Sequence, residues 1–149
     1  MHCFAQSDRG TVRKENQDRA ACAHIRRRGC TIAVVCDAMG GAAGGKLASD
    51  LAASTFLADF RREMMAGSAV EPAMRHACDA ANRAVYDRAC AEPDLRGMGT
   101  TIVAACVRRG RLTVLHVGDS RAYLVGLRRM QQHHKSGSNI CHTKKQQQQ

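Results

Sequence analysis

The 149-residue sequence has no tryptophan, two tyrosines and three phenylalanines, which leaves little material for the aromatic platforms on which unpaired bases stack. A net charge of +10 would attract phosphate-rich partners in general. Without those platforms it reads as solvated arginine and predicts no specific nucleic-acid binding. Acidic residues are absent after Asp119. Up to Leu127, 18 Lys plus Arg stand against 13 Asp plus Glu, and the last 22 residues add five cations and no anion. No run approaches the roughly 18 apolar residues of a membrane span, and the opening MHCFAQSDRG lacks the apolar stretch of a secretory signal. The eight cysteines include no C-x-x-C pair and several fall in apolar patterns, as buried thiols in a reducing compartment do. These absences predict a soluble, cytoplasmic chain with no membrane partner.

What is present is organised around Thr31 to Ser49, TIAVVCDAMGGAAGGKLAS. Ile32 to Cys36 is a short, β-branched apolar run between Gly29 and Gly40-Gly41, the pattern of a buried strand. Asp37 then stands at a strand's C-terminal end, where burying a carboxylate is costly unless it is paired, hydrogen-bonded or bound to a metal. Taken alone, the residue is either a turn former beside the glycines or a ligand.

Around this stretch the chain reads as α+β. Ser7-Asp8-Arg9-Gly10 signals a turn before Thr11-Val12-Arg13, read as a strand running into the polar loop RKENQD. Arg19 to Ile25 is a second strand, and Arg26 to Gly29 a basic hairpin turn with a solvated tip. A helix is predicted from Gly45 to Met65, with Ala48, Ala52, Phe56 and Phe60 as an i, i+4 core ridge ended by Gly67-Ser68. A second helix has Pro72 in its first turn and carries Met74, Ala77, Ala81, Ala84 and Val85 on one face. His76, Cys78 and His116 are assigned to packing or surface positions. Thr100 to Val107, Leu112 to Val117 and Arg121 to Val125 then read as a three-stranded meander, the third strand entered through Gly118-Asp119-Ser120. Strands, two helices and more strands favour an antiparallel sheet with segregated helices. One domain is expected over 1–127. The basic, Gln-rich stretch 128–149 has no helix or strand period and is expected to be a disordered tail, its His133, His134, Cys141 and His142 not spaced as a zinc finger.

Three stretches deliver polar clusters at strand ends: Arg13 with Asp18, Asp37 with its glycine turn, and Asp119 with Ser120 and Arg121. Strands lying side by side would bring them together. Carboxylates on one rim suit Mg²⁺ or Mn²⁺, an arginine beside them can grip a phosphate with two hydrogen bonds, and a water between metals can attack it in line.

SDRGTVRKENQD (Ser7 to Asp18), VVCDAMGG followed by GGKLAS (Val34 to Ser49), and MGTTIVAACV with LTVLHVGDSRAYL (Met98 to Leu124) resemble, in order, the first motifs of bacterial PP2C-type metal-dependent serine/threonine protein phosphatases. The likeness covers roughly residues 5 to 125. It implies an α-β-β-α sandwich of two antiparallel sheets, two Mn²⁺ or Mg²⁺ ions, and a phosphoserine or phosphothreonine protein as substrate, modified by a cognate Ser/Thr kinase. By the same resemblance Arg13 is the catalytic-site residue that holds the substrate phosphate, Asp37 bridges the two metals, Asp18 supports them through their water shell, and Asp119 serves a further, weaker metal. Ala38 falls where the family has a glycine whose carbonyl binds metal; the carbonyl survives, but a Cβ in a turn needing φ > 0 would be strained. Gln17 stands where some members have Glu, and Met39 where many eukaryotic relatives have a histidine proposed as general acid.

The family continues for another stretch that supplies two later aspartates, and no acid follows Leu124 here. The sandwich and second metal position are therefore expected to be incomplete, the enzyme weak or inactive, and the ending that of a truncated or frameshifted product. A non-catalytic phosphoprotein-binding module is the alternative. A nucleotide-binding P-loop is a third reading, since Gly40 to Lys46 fits G-x-x-x-x-G-K, although Leu47 lacks the hydroxyl that would hold Mg²⁺ there.

Overall fold

The computed structural model describes residues 1–39, 44–126, 130–133 and 139–144. Strand β1 (Arg19–Ile25) passes through a 3-10 turn at Arg26–Arg28 into β2 (Cys30–Cys36). Gly29 closes this hairpin at φ +58°, a left-handed conformation that glycine adopts without steric cost. After the two-residue β3 (Ala38–Met39) come helices α1 (Gly45–Met65) and α2 (Val70–Ala91). Strands β4 (Gly99–Thr100), β5 (Ile102–Arg108), β6 (Arg111–Val117) and β7 (Ala122–Val125) follow, then β8 (Met130–His133) and β9 (Asn139–Lys144). The main sheet has the order β1-β2-β5-β6-β9 and is antiparallel throughout; β3–β4 and β7–β8 form separate two-stranded sheets. The fold is α+β, with the two helices grouped together in the chain and the strands on either side.

Strand periodicity fixes which side faces the helices. Cys30, Ile32, Val34 and Cys36 of β2, Ile102, Ala104 and Cys106 of β5, and Leu115 of β6 share one core cluster with Ala48, Ala52, Phe56 and Phe60 of α1 and Met74, Ala77 and Ala81 of α2. The predicted i, i+4 ridge of α1 is thus the floor of the core, its two phenylalanine rings stacked 6.3 Å apart and fully buried. The helix ends in a paired glycine cap: Gly67, at φ +101°, donates to the Met64 carbonyl and Ser68 to that of Glu63, satisfying carbonyls the helix leaves open. Arg28 of the basic hairpin donates to the carbonyls of Gly67 and Ser68, so one of its three arginines supports a helix end instead of only solvating a tip. At the opposite hairpin, Arg109 and Gly110 both have positive φ, the two-residue turn that matches strand twist. No described helix is long and apolar enough to cross a membrane.

Four expectations change. Residues 1–18 form no strand, and Val12 is 92% exposed; a strand needs a ladder partner, and this segment pairs with no described strand. The expected strand over Thr100 to Val107 is broken at Thr101, because Thr100 pairs with Ala38 while Val103 pairs with Val35. The meander stops at two strands: Gly118, at φ +95°, redirects the chain, and β7 pairs with β8 instead of β6. The stretch 128–149, expected to be without structure, contributes Met130–His133 to one sheet and Asn139–Lys144 to the free edge of β6. Edge pairing runs through backbone groups and needs no hydrophobic period, which is why side-chain pattern does not reveal it.

On the face away from the helices, Val35 is 46% exposed and Ala33, Ala105 and Val107 are half-buried. Among the described residues no second large sheet covers it, so the layers seen are helix pair on sheet. The core is predicted to dominate stability: Phe56→Ala should lower the unfolding free energy by about 3–5 kcal/mol, whereas Tyr86→Ala, at a side chain 66% exposed, should cost only about 0.5 kcal/mol. Urea unfolding followed by circular dichroism measures both.

Candidate functional site

The site begins where the central strand ends. Asp37 follows β2, and its backbone is held by β4 and the residue beyond it. The Thr101 amide donates to the Asp37 carbonyl at 2.8 Å, the Thr100 hydroxyl donates to the same oxygen at 3.0 Å, and the Asp37 amide donates to Thr101 Oγ1 at 3.1 Å. With the main chain clamped, the carboxylate projects from the sheet's rim and is exposed.

Two further carboxylates face it. The Asp37 carboxyl is pushed up from its ordinary value first by partial burial, then by the charge and side-chain hydrogen bond of Asp18, then by the charge of Asp119; the Arg13 guanidinium opposes the shift. Arg13, Asp18, Asp37 and Asp119, separated along the chain, therefore share one electrostatic neighbourhood, and all four are exposed.

The N-terminal segment owes its position to α1. The Ser49 hydroxyl donates to the Gln17 carbonyl at 2.6 Å, Arg19 lies 3.7 Å from Asp50, and the Asp18 amide donates to Asn16 Oδ1 at 3.0 Å. Gly45 makes room for this docking, since a Cβ there would lie 2.6 Å from Gln17 Oε1. Asp119 sits in the turn after β6, where Ser120 Oγ is 2.6 Å from Thr101 Oγ1. Ala38 is half-buried in the β3–β4 bridge opposite Thr100. Arg109 is the one non-glycine residue with positive φ among the described residues, so the Cβ of Ala38 meets no left-handed backbone. Met39 is 54% exposed and paired with Gly99.

The donor set is all oxygen. Asp18 and Asp119, which both raise the proton affinity of Asp37, make with it a set of three carboxylates that fits a hard divalent cation, which would relieve the repulsion. They are not a closed cage: among the described residues, the one triplet of acidic, His or Cys side chains with all ligand atoms within 4.8 Å is Asp59, Glu63 and His76. That cluster lies between α1 and α2, with Asp59 about 21 Å along the helix from Gly45. There the buried Asp59 is paired with Arg62 and lies 3.2 Å from His76 Nδ1. The i, i+4 spacing of Asp59 and Glu63 was available in the sequence; the approach of His76 from the other helix was not. Residues 40–43 of the candidate phosphate-cradling loop lie outside the described residues. Its Lys46 is engaged by Asp50 at 2.7 Å, and the antiparallel sheet is not the context of a P-loop.

Residues 9–140 match the profile of the protein phosphatase 2C family. The chain belongs to that family. It is 34% identical over 128 residues to the serine/threonine phosphatase Stp of Listeria monocytogenes, covering 84% of this chain and 50% of the relative. To the serine/threonine protein phosphatase PstP of Mycobacterium tuberculosis it is 37% identical over 121 residues, covering 81% of this chain and 22% of the relative. The crystal structure of Mycobacterium tuberculosis PstP superposes with a TM-score of 0.75 at 35% identity, over 89% of this chain and 53% of that one. A structure of the PstP catalytic domain in complex with two manganese ions gives 0.74 at 35% identity, over 89% and 54%. The chain thus spans about half the length of the Stp relatives, and the family's shared part is the part described above: helix pair, central sheet and the rim carrying Asp37.

The crowding of carboxylates has a measurable sign. A group whose proton affinity is higher in the folded state contributes stability below its ordinary titration range and loses it as pH rises through the folded value. Asp37→Asn should therefore raise the melting temperature of the metal-free protein at pH 7.5, and the gain should shrink towards pH 3.5, below the ordinary carboxylate value of 3.8. Differential scanning fluorimetry in EDTA measures it.

Proposed function

We propose that this chain carries the metal-binding and phosphate-binding half of a serine/threonine protein phosphatase site, and that the chemistry is hydrolysis of phosphoserine and phosphothreonine esters. The observation that carries the reading is the meeting of Arg13, Asp18, Asp37 and Asp119 at one end of the sheet. Asp37, Asp18 and the Ala38 carbonyl would hold Mn²⁺ or Mg²⁺, with Asp119 at the margin. When bound, such an ion supplies a water acidic enough to act as nucleophile at neutral pH. Arg13 offers a planar pair of donors to the phosphate, orienting it for in-line attack and offsetting its charge. Asp18, held beside Asp37 by the Gln17–Ser49 tether, orients solvent in the site. The manganese ions in the PstP catalytic-domain structure support this assignment, as do the names of the Stp and PstP relatives. Three carboxylates give one firm cation position, so turnover is slow. The substrate is a cytoplasmic phosphoprotein, modified by a Ser/Thr kinase; the seven described cysteines, all free thiols, suit that compartment.

The test is hydrolysis of a phosphothreonine peptide and of p-nitrophenyl phosphate with Mn²⁺. Slow turnover is expected, abolished by EDTA and lowered at least about a hundredfold by Asp37→Asn; Arg13→Ala should raise KM for the peptide by about ten- to a hundredfold, the worth of a charge-assisted hydrogen bond. Phosphopeptide binding that needs Arg13 but ignores EDTA, with no turnover, would replace the enzyme with a binding module. A folded chain without affinity for Mn²⁺ would overturn the metal assignment.

A further inference from the structure

Thr101 stands at the break between β4 and β5, only 1% exposed. Both faces of its side chain are in use. Its Oγ1 accepts the Asp37 amide at 3.1 Å and meets Ser120 Oγ at 2.6 Å, while its amide donates to the Asp37 carbonyl at 2.8 Å. Its methyl lies against Gly118, where an added Cβ would come within 2.8 Å of Cγ2. The turn that carries Asp119 is therefore seated on Thr101 from both sides, by the hydroxyl at Ser120 and by the methyl at Gly118. Neither Asp37 nor Asp119 touches the other's backbone in the hydrogen bonds described; beyond the end of the β2–β5–β6 ladder, the Thr101 side chain joins the Asp37 amide to the Asp119 turn.

We infer that Thr101 is a positioning residue that sets the separation of the Asp37 and Asp119 carboxylates, through a hydroxyl that bridges the Asp37 amide and the Ser120 hydroxyl. A hydroxyl with one proton and two lone pairs can accept from the amide and still exchange a hydrogen bond with Ser120. At a buried position this arrangement is exacting, since removing the hydroxyl leaves the Asp37 amide without its partner and frees the Ser120 side of the turn. Only threonine among the ordinary residues supplies both the hydroxyl and the methyl that meets Gly118. The inference extends to Mn²⁺ only if the function proposed above holds, whereas the geometry can be read without metal.

Three variants separate the contributions. Thr101→Val keeps shape and methyl but loses the hydroxyl; Thr101→Ser keeps the hydroxyl; Ser120→Ala unties the Asp119 turn alone and serves if Thr101→Val does not fold. In the metal-free protein, Thr101→Val should displace the backbone NMR signals of Asp119 and Ser120 and speed exchange of the Asp37 amide by about tenfold or more, the worth of one hydrogen bond. Thr101→Ser should leave both near wild type, and Ser120→Ala should move Asp119 without affecting the Asp37 amide. Mn²⁺ affinity, read by electron paramagnetic resonance, should fall about tenfold in Thr101→Val and stay within about twofold in Thr101→Ser. Asp119 signals that hold their place in Thr101→Val, or in Ser120→Ala where that variant serves, overturn the inference. So does unchanged Mn²⁺ affinity in a variant whose signals move. If the wild type binds no Mn²⁺, the functional reading fails instead, and the Asp119 signals alone decide the role of Thr101.

Discussion

Two hydrogen bonds join the backbone of Asp37 to Thr101, 2.8 and 3.1 Å long, and the site depends on them because they carry the central strand's order past its last sheet pair. Each is worth about 1 kcal/mol net, small beside the core. Their effect is geometric. They stop β2 from fraying at the residue whose carboxylate must be presented, and through Ser120 they bring in a turn from the far side of β5 and β6. The core beneath supplies rigidity: α1 lays Phe56 and Phe60 under the sheet, and the same helix, at its first turn, receives the N-terminal segment through Ser49.

Against this order works a repulsion. Asp18 and Asp119 both raise the proton affinity of Asp37, and only Arg13 lowers it. A fold without a purpose for such crowding would separate the three carboxylates, since an exposed rim costs nothing to spread. Here Asp18 is held in by docking on α1 and Asp119 by docking on Thr101, so the folded chain sustains a deficit of positive charge that a divalent cation would fill. The Asp59–Glu63–His76 cluster is the contrasting case: its buried carboxylate already has Arg62 beside it.

What could be read in the sequence follows from range. Strand β1 and helix α1 have the boundaries that apolar period and glycine punctuation predict, because those signals are local. The position of Asp37 at a strand end was legible for the same reason. The break at Thr101 was not, since it is imposed by a partner 64 residues away, and the run TTIVAACV is continuous in pattern. The partners of β7 and β9 were illegible because edge pairing uses backbone groups and leaves no trace in composition. Motif resemblance reached further than physical pattern did: Arg13 stands in a segment with no regular structure, where the residues alone mark a polar cluster with Asp18 and the family's order of motifs gives the arginine its phosphate-holding role.

The central claim is that the carboxylates at the end of β2 form the cation site. Crystals of the protein soaked in Mn²⁺ and measured at the manganese absorption edge test it directly. The account predicts an anomalous peak in contact with the Asp37 carboxylate and beside Asp18. A peak at Asp59, Glu63 and His76 with none at Asp37 would contradict it.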